Sequence, residues 1–383
     1  MNIQPYMFTL THKFLPFLLA IIGFGILITV HEFGHFIFCK IFGIHTPTFS
    51  IGMGPTIFSK KIGDTNFRLA AIPLGGYLEI AGQAEVGQGE QKFARDTSKR
   101  SFANRPYWQK AFVILGGIIF NILFAYLILS TLFMVGIPKA KGALIVDSVV
   151  KESAAEKYGL EKNDKIISIN KKTISSDPDE MFEQMQSVVF KELSDNPDKQ
   201  ITLSVLRDGK IKNIDLILGS KTIGGKNIGS LGAMIGTELT TIEGQYQKYP
   251  VFESLKRGAI STYNLIVQMF YGLKMLIKQR SLKGAGGPIM IISKTFETAQ
   301  KGFSTLLIFL AIISINLAII NLLPIGALDG GQFLFVTIEA IIRRQIPEII
   351  KVVINLASWI FLISLILYLS FKDILTIFNN KYK

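Results

Sequence analysis

Cysteine and charged side chains are both scarce in this sequence. Cys39 is the only cysteine among 383 residues, so no disulfide can form within the chain. Asp, Glu, Lys and Arg make up 18% of the residues, against about 25% in ordinary soluble domains. These four residue types are absent from four stretches, each close to or above the roughly 20 residues that cross a bilayer as a helix. The stretches are 14–30, 111–138, 302–328 and 352–371.

The sequence also lacks the marks of two other protein classes. No small-x-small cleavage site follows the first apolar stretch, which is long for the core of a signal peptide, so we interpret it as a retained span. The net charge of +13 contains no dense basic run, which favours lipid head groups rather than nucleic acid as the partner of the basic residues. We therefore predict a polytopic membrane protein with four transmembrane α-helices, since lipid cannot satisfy open backbone groups.

The distribution of Lys and Arg predicts the orientation of these spans. Ten of them lie in the 40–110 connection and three lie between the last two spans, whereas the leading segment has only Lys13. Because Lys and Arg concentrate in cytoplasmic loops, we expect both termini outside the cytoplasm. Spans one and three then run in the same direction, and both end near the cytoplasmic side.

The membrane domain is predicted in two parts, 1–139 and 302–383. The loop inside the first part contains short β-type runs separated by Gly and Pro. We interpret these runs as a small β-sheet that lies on the membrane or dips into it, with a cytoplasmic hairpin domain as the alternative. The predicted strands are 49–58, 65–72 and 77–80.

The polar part of the chain separates the two membrane parts. Residues 140–237 alternate between apolar and polar positions and contain two short helical patterns, which predicts one extracytoplasmic α+β domain. Residues 238–301 are predicted as a linker. Within it, 250–283 has apolar residues at helical spacing, which indicates an amphipathic helical pair on the outer membrane surface, or alternatively a solvated connector.

The first span ends in a pattern that an ordinary membrane helix would not contain. In LLAIIGFGILITVHEFGHFIFCK, His31 and His35 are four residues apart and therefore share a helix face, about 6 Å apart along the axis. Two such imidazoles can hold zinc, and the intervening Glu32 can serve as general base toward a water. Zinc lowers the pKa of its bound water to about 7, so the pattern predicts peptide hydrolysis. The alternative is a pair of interfacial histidines, but an ionisable residue in a span is a functional candidate by default.

A catalytic zinc usually takes three protein ligands, and three residues are candidates for the third. Cys39 continues the helical stripe, but it lies about 12 Å from His31 along the axis, too far for one ion. His45 could fold back after Gly43, although nothing in the sequence positions it. Asp329 is favoured, because it lies at the matching end of a parallel span. Glycines on both sides and a nearby proline would let its carboxylate turn inward.

These residues resemble the site-2 protease family of intramembrane zinc metalloproteases, and within it the bacterial regulator-of-sigma-E protease group. The resemblance covers most of the chain. It rests on HEFGH, GMGP, PLGGYLEIAG, LGGIIFNILFAY, a PDZ-like domain, GGPI and NLLPIGALDGG in this order. It implies Zn²⁺ as cofactor, with His31, His35 and Asp329 as ligands. It also implies Glu32 as catalytic base and Asn321 as the group that holds the substrate carbonyl.

The resemblance further implies how substrate is recognised near the membrane. The loop strands resemble a membrane-reentrant sheet whose edge receives an extended substrate as an added strand. A helical substrate would have to unwind before its amides could be cut. The candidate substrate-binding residues in this sheet are Gly52, Gly54, Gly75, Gly76 and Tyr77.

Residues 140–237 resemble a circularly permuted PDZ module. Gly142, Ala143, Leu144 and Ile145 would form its groove strand. Well-known members of the group have two such domains in tandem, whereas this chain has room for one, so a two-domain size filter is not implied here. A single PDZ domain would bind a newly exposed C-terminus or block the entrance, and a spacer domain is the alternative.

The implied activity is cleavage of single-span membrane proteins that a site-1 protease has already trimmed. Anti-sigma factors or remnant signal peptides in a bacterial cytoplasmic (inner) membrane are the implied substrates. Two other functions compete with this interpretation. An ion or metal transporter could use the same ionisable residues, although four spans without paired half-helix repeats argue against it. A catalytically inactive PDZ scaffold is the other, and the intact set of ligands and base argues against that.

Overall fold

The computed structural model describes residues 4–83, 92–223, 226–279 and 286–381. The chain folds into two compact units, one made of Met1–Val135 with Tyr249–Lys383 and the other of Gly136–Lys248. The helices are α1 Gln4–Ile41, α2 Tyr107–Val135, α3 Ala154–Lys157, α4 Pro178–Gln184, α5 Lys191–Ser194, α6 Val251–Gln279, α7 Pro288–Gln300, α8 Phe303–Asn321, α9 Asp329–Ile342 and α10 Glu348–Lys381. The strands are β1 Thr48–Ile62, β2 Thr65–Glu79, β3 Ile137–Val149, β4 Lys165–Ile169, β5 Lys172–Thr173, β6 Gln200–Arg207, β7 Lys210–Ile217, β8 Gly219–Ile223, β9 Lys226–Ser230 and β10 Ala233–Gln247.

Four helices among the described residues are long and apolar enough to cross a membrane. They are Phe17–Ile41 within α1, the whole of α2 and α8, and Glu348–Thr376 within α10. Each of the four predicted spans therefore contains a helix of this kind. The first continues as regular helix to Ile41, beyond the charge-free stretch that stops at residue 30, and so carries the HEFGH motif on its last turns.

The predicted third span, 302–328, is too long. Its helix α8 ends at Asn321, and Asp329 is the first residue of the separate helix α9. Pro324 has no backbone N–H and disfavours helical geometry in the residue before it, so the helix stops ahead of this proline. The LDG motif is consequently at a helix start rather than inside a span.

Close contact between small residues fixes α1 against α2. A Cβ placed on Gly34 would lie 2.2 Å from the Gly116 carbonyl oxygen, and one on Gly116 would lie 2.6 Å from the Gly34 carbonyl oxygen. Small residues allow two helix backbones to approach in this way, which is how apolar spans pack without a hydrophobic driving force. The crossing point is inside the HEFGH motif, so the packing positions both histidines next to α2.

The loop after α1 forms two long strands instead of the three predicted. β1 and β2 form a hairpin around Gly63, and β2 includes both later predicted strands. It bends at Gly75, whose φ is +104°, so that residues 66–69 and 76–79 both pair with residues 48–51. Aromatic side chains at the base of the hairpin pack against α1 in a cluster with Phe36, Phe49 and Phe67. Toward the tip, Ile57, Phe58 and Ile62 are exposed beside the cations Lys60 and Lys61, a mixture that suits the predicted association of this sheet with a membrane surface.

The linker 238–301 differs from the predicted pair of surface helices. β10 continues to Gln247, and α6 is one helix of 29 residues. Its apolar face packs on α2 and α8, where Leu265, Ile266, Met269 and Leu273 contact the cluster Ala125, Leu129, Ala311, Ile315 and Ile319. The apolar spacing seen in the sequence thus includes the face of α6 that packs on two spans. Residues 280–283 of the predicted pair lie outside the described residues.

The second unit contains a sheet with the strand order β10-β3-β4-β6-β7, with β5 on β4, and a separate hairpin of β8 and β9. Its core is a single cluster of buried aliphatic residues, among them Leu144, Ile169 and Leu203. The unit begins before and ends after the predicted 140–237, because β3 starts at Ile137 and β10 ends at Gln247. The predicted groove strand Gly142–Ile145 lies inside β3, which pairs with β10 along its length and with β4 at Leu144 and Ile145. Leu144 and Ile145 therefore have a strand on both sides, whereas Gly142 and Ala143 pair only with β10, which is the outer strand on this side of the sheet.

Asp164 connects the segment before β4 to Arg207 at the end of β6. We expect acid to weaken this connection. The carboxylate accepts bonds of 2.7 Å from Nε and Nη2 of Arg207 and one of 2.9 Å from the Glu161 N–H. Burial opposes ionisation, but these bonds outweigh burial and hold the pKa of Asp164 below its usual value.

A carboxyl with a lower pKa in the folded state stabilises the fold above its unfolded pKa of about 3.9, and this stabilisation is lost as pH falls through the folded value. We expect the melting temperature of the wild type to exceed that of Asp164→Asn at neutral pH. The gap should narrow from about pH 5 downward, because the wild-type carboxyl then takes up a proton. Thermal unfolding of the detergent-solubilised full chain across this range measures the gap, and a constant gap would contradict the assignment.

Candidate metal centre

Three potential ligand atoms converge at one end of the first span. The distribution of Lys and Arg predicts that this end lies near the cytoplasm. His31 and His35 occupy successive turns of α1, and their Nε2 atoms are 3.3 Å apart. Asp329 Oδ2 lies 3.2 Å from His31 Nε2 and 3.6 Å from His35 Nε2. Ligand atoms bonded to one tetrahedral zinc at about 2.0–2.1 Å lie about 3.3 Å from one another. The three side chains therefore already have the spacing that one zinc ion requires.

The charge balance of the cluster also fits a cation. Asp329 Oδ2 is buried and accepts no hydrogen bond within the described residues. A buried carboxylate oxygen without a donor is costly, and two imidazole nitrogens face it. A divalent ion would satisfy all three atoms at once, so the residues present fit zinc.

Local backbone geometry brings Asp329 to the histidines. After Pro324 the chain turns back, and α9 starts with Asp329 against the end of α8. A Cβ on Gly330 would lie 2.2 Å from the Leu322 carbonyl oxygen, and one on Gly331 would lie 2.1 Å from the Ile325 carbonyl oxygen. The two glycines of LDGG are therefore required for the close turn that aims the carboxylate inward.

A residue of α2 that the sequence analysis did not single out contacts His31. Asn121 is fully buried, and its amide nitrogen lies 3.1 Å from His31 Nδ1, while its Oδ1 has no hydrogen bond within the described residues. A neutral imidazole that offers Nε2 as ligand carries its proton on Nδ1. Turning the Asn121 amide by 180° presents Oδ1 to that proton and satisfies both groups. The signal in the sequence was an asparagine inside an otherwise apolar span.

The other histidine is oriented by the same helix. His35 Nδ1 lies 2.8 Å from the Val113 carbonyl oxygen and donates its proton to it, which leaves Nε2 free as a ligand. Gly117 makes room for both rings, since a Cβ there would lie 2.5 Å from His31 Cε1 and His35 Nε2. Helix α2 thus supplies the outer contacts that set both histidine rings.

Replacing Asn121 should weaken metal binding without removing the ligands. We expect Asn121→Leu to lower zinc affinity by about 10- to 100-fold, the usual effect of losing an outer hydrogen bond to a ligand histidine. Ser130→Ala removes another buried polar group from α2 away from the centre and should leave the affinity unchanged. Competition with a zinc chelator of known affinity measures both. Equal affinities of Asn121→Leu and wild type would show that the amide has no part in holding His31.

The candidate base and part of the predicted substrate sheet lie next to each other. A Cβ on Gly76 would be 3.8 Å from Glu32 Cγ and 2.8 Å from the Ser50 carbonyl oxygen, so this part of β2 passes directly beside Glu32. Gly52 and Gly75 have φ angles of +84° and +104°, which non-glycine residues rarely adopt. The Tyr77 hydroxyl accepts a hydrogen bond of 3.3 Å from Arg68.

The remaining predicted site residues divide into two groups. Asn321 ends α8 with its Nδ2 3.5 Å from His31 Nε2, so it borders the cluster. Cys39 and His45, the other candidates for a third ligand, are not in the cluster: Cys39 is fully buried among aromatic and aliphatic side chains, and the His45 ring packs edge-on against Phe93. Gly54 lies in β1 with a φ angle of +86°, and Gly142–Ile145 belongs to the second unit.

A small polar cavity adjoins the centre. It has a volume of about 110 Å³ and is lined by His35 and Asp329 together with Gln83, Gln332 and Asn355. One water needs roughly 10–15 Å³ by this measure, so several fit. Gln332 is held in place by donating 2.7 Å to the Gly326 carbonyl oxygen. The centre therefore has room for water beside it, which hydrolysis requires.

Comparison with known proteins agrees with this chemistry. The sequence profile described as Peptidase family M50 matches residues 19–365. Similar proteins carry the name "Putative zinc metalloprotease". One from Campylobacter jejuni is 30% identical over 94% of this chain and 93% of its own length. One from Clostridium perfringens is 31% identical over 93% and 97%, and one from Fusobacterium nucleatum is 31% identical over 95% and 100%.

Proposed function

This chain belongs to peptidase family M50, and from that membership we propose that it hydrolyses peptide bonds within or beside the transmembrane segments of single-span membrane proteins. It is a zinc metallopeptidase, and its cofactor is Zn²⁺. The observation that carries the proposal is the convergence of His31, His35 and Asp329 at the end of an apolar span, with Glu32 beside an extended strand.

The chemistry divides between the ion and the chain. Zinc held by the two histidines and Asp329 would act as a Lewis acid, which lowers the pKa of a bound water to about 7. Glu32 accepts the proton of the attacking water and returns it to the nitrogen of the leaving amine. The Asn321 amide, which borders the cluster, donates to the substrate carbonyl oxygen as negative charge develops there.

The strand next to Glu32 would bind substrate in extended form. Gly76–Glu79 pairs with Thr48–Ile51 on one edge, and within the described residues no strand pairs with its other edge. A peptide added to a sheet edge exposes its amides, whereas the amides of an intact helix are already engaged. Because Gly76 has no side chain, a peptide backbone can come near Glu32. Unwinding of the substrate helix is therefore part of the proposal.

The cellular location and the processing of the substrate are proposed from the same resemblance to site-2 proteases. We place the protein in a bacterial cytoplasmic membrane, with both termini and the second unit outside and the centre near the cytoplasmic side. Trimming of the substrate by a site-1 protease would create a new C-terminus, which a PDZ-like unit could bind. The outer strand β10, rather than Gly142–Ile145, supplies the edge for such a peptide, because β3 is paired on both sides where β4 meets it.

Cleavage by the purified full chain in detergent tests the function. The probes are a panel of tagged single-span proteins, each with a short outer segment, and fluorescein-labelled casein as a soluble unfolded substrate. We expect cleavage inside the span of panel members, loss of cleavage with 1,10-phenanthroline, and recovery when zinc is restored. Cleavage of casein alone would contradict the intramembrane substrate class while leaving the peptidase assignment intact.

A further inference from the structure

A second cavity lies at the far end of α9, away from the metal centre. It has a volume of about 210 Å³, and its lining includes Tyr107 and Lys110 of α2, Glu339 of α9, and Arg343 and Arg344 beyond it. It thus forms where α2 begins and where the chain passes from α9 to α10. Nothing in the peptidase mechanism uses these residues.

The cavity carries an unbalanced positive charge. Lys110, Arg343 and Arg344 form no ion pair within the part of the chain that the structure describes. The single carboxylate of the lining, Glu339, is already engaged by Lys351 at 2.6 Å and by the Ile346 N–H at 2.9 Å. Lys110 is half-buried, and its Nζ lies 5.7 Å from the centre of the Phe102 ring. Three cations beside a single carboxylate, which already pairs with a fourth cation, favour an anionic ligand.

The surroundings of the cavity indicate a ligand that is apolar as well as charged. Tyr107 and Trp108 begin the second span, in the position where aromatic residues mark the membrane interface. The last turn of α9 exposes Ile341 and Ile342, whose accessible fractions are 75% and 50%. A phosphate group with acyl chains would use both features, whereas free phosphate would use only the charge.

We propose that this cavity binds the phosphate head group of an anionic phospholipid. Basic pockets between membrane helices are a known type of site for such head groups. The bound phosphate would lie between Lys110 and the two arginines, and the acyl chains would lie along Ile341 and Ile342.

Lipid binding here would also secure the helix that carries a zinc ligand. α9 runs from Asp329 at the metal centre to Ile342 at this cavity, about 20 Å at 1.5 Å per residue. The Tyr107 and Thr337 hydroxyls, 3.2 Å apart, already connect α9 to α2. A lipid phosphate between Lys110 and Arg343 would add a second connection between the two helices.

Native mass spectrometry of the detergent-solubilised full chain tests the site directly. Phosphatidylglycerol and phosphatidylcholine are titrated separately, and inorganic phosphate is added as a competitor. The test variant is Arg343→Gln/Arg344→Gln. The matched control is Lys60→Gln/Lys61→Gln, which removes two exposed cations from the β1 hairpin and lies outside the cavity.

We expect wild type and control to retain phosphatidylglycerol in preference to phosphatidylcholine. The arginine variant should bind phosphatidylglycerol about 30-fold more weakly, since each basic residue at an anionic lipid surface contributes a factor of about 5. Lys110→Gln should show a smaller loss, and unchanged zinc content of each variant would show that the fold is intact.

Three outcomes would overturn the proposal. The arginine variant could bind phosphatidylglycerol as tightly as wild type, or the lysine control could lose as much affinity as the arginine variant. Displacement of the lipid by millimolar inorganic phosphate would assign the cavity to free phosphate instead. Because the readout is lipid binding, none of these outcomes depends on the proposed peptidase substrate, and a failed cleavage assay would leave them unaffected.

Discussion

Glu32→Gln is expected to abolish peptide hydrolysis while the protein keeps its fold and its zinc. Glu32 faces β2 and is not one of the three converging ligand residues, so an isosteric amide leaves the metal site intact. It removes only the group that accepts the water proton. General base catalysis typically contributes about 10²- to 10⁴-fold, so turnover should fall by at least this factor. Initial rates of span cleavage measure the loss of hydrolysis, and atomic absorption measures the retained zinc.

The result separates the peptidase from its two alternatives. A transporter that used these ionisable residues would show ion flux in vesicles, and a scaffold would show no cleavage in the wild type either. If the glutamine variant turned over at the wild-type rate, Glu32 would not be the base and the mechanism would have to be abandoned. Loss of zinc in the same variant would instead identify Glu32 as a zinc ligand.

Asp329→Ala is expected to remove zinc from the protein. The carboxylate supplies one of only three ligand atoms in the cluster, and no other described His, Cys, Asp or Glu joins the group. Two histidines alone would leave the ion held by one helix. The loss should exceed the 10- to 100-fold effect that an outer hydrogen bond has on metal affinity. Metal analysis after dialysis should find one zinc per wild-type chain and only a small fraction of that in the variant.

Two controls address the other candidates for a third ligand. Cys39→Ala and His45→Ala should keep a full equivalent of zinc, because Cys39 is packed in the aromatic cluster below the histidines and His45 lies against Phe93. Retention of zinc by Asp329→Ala together with its loss in either control would assign the third ligand to that residue. Loss of folding in Asp329→Ala is monitored by circular dichroism, and Asp329→Asn provides a variant of nearly identical shape.

The sequence was most informative where a single physical rule acts along the chain. The absence of charge from four stretches predicted four spans, because the bilayer excludes unpaired charge regardless of what the rest of the protein does. The 3.6-residue turn placed His31 and His35 on one face in the same direct way, and the structure has their Nε2 atoms 3.3 Å apart. Pro324 and the LDGG glycines were visible too, yet their effect on where α8 ends was underestimated.

The sequence was less informative where two distant segments must meet. The 250–283 pattern indicated amphipathic helix, which α6 is, but periodicity did not identify α2 and α8 as partners of its apolar face. Strand alternation placed Gly142–Ile145 in a strand, but alternation does not tell an edge strand from an inner one. Asn121 was visible as a polar residue in an apolar span, and only the packing of α1 on α2 identified His31 as its neighbour.

By itself, therefore, the sequence determined that the chain enters a membrane and that one helix turn presents two imidazoles and a carboxylate, since both follow from local geometry and from the solvent properties of lipid. The tertiary structure decided that Asp329, and neither Cys39 nor His45, completes the set, and that Gly76 passes beside Glu32. These pairings join residues separated by tens to hundreds of positions. Their proximity depends on side-chain fit between helices, which no periodicity along a single chain encodes.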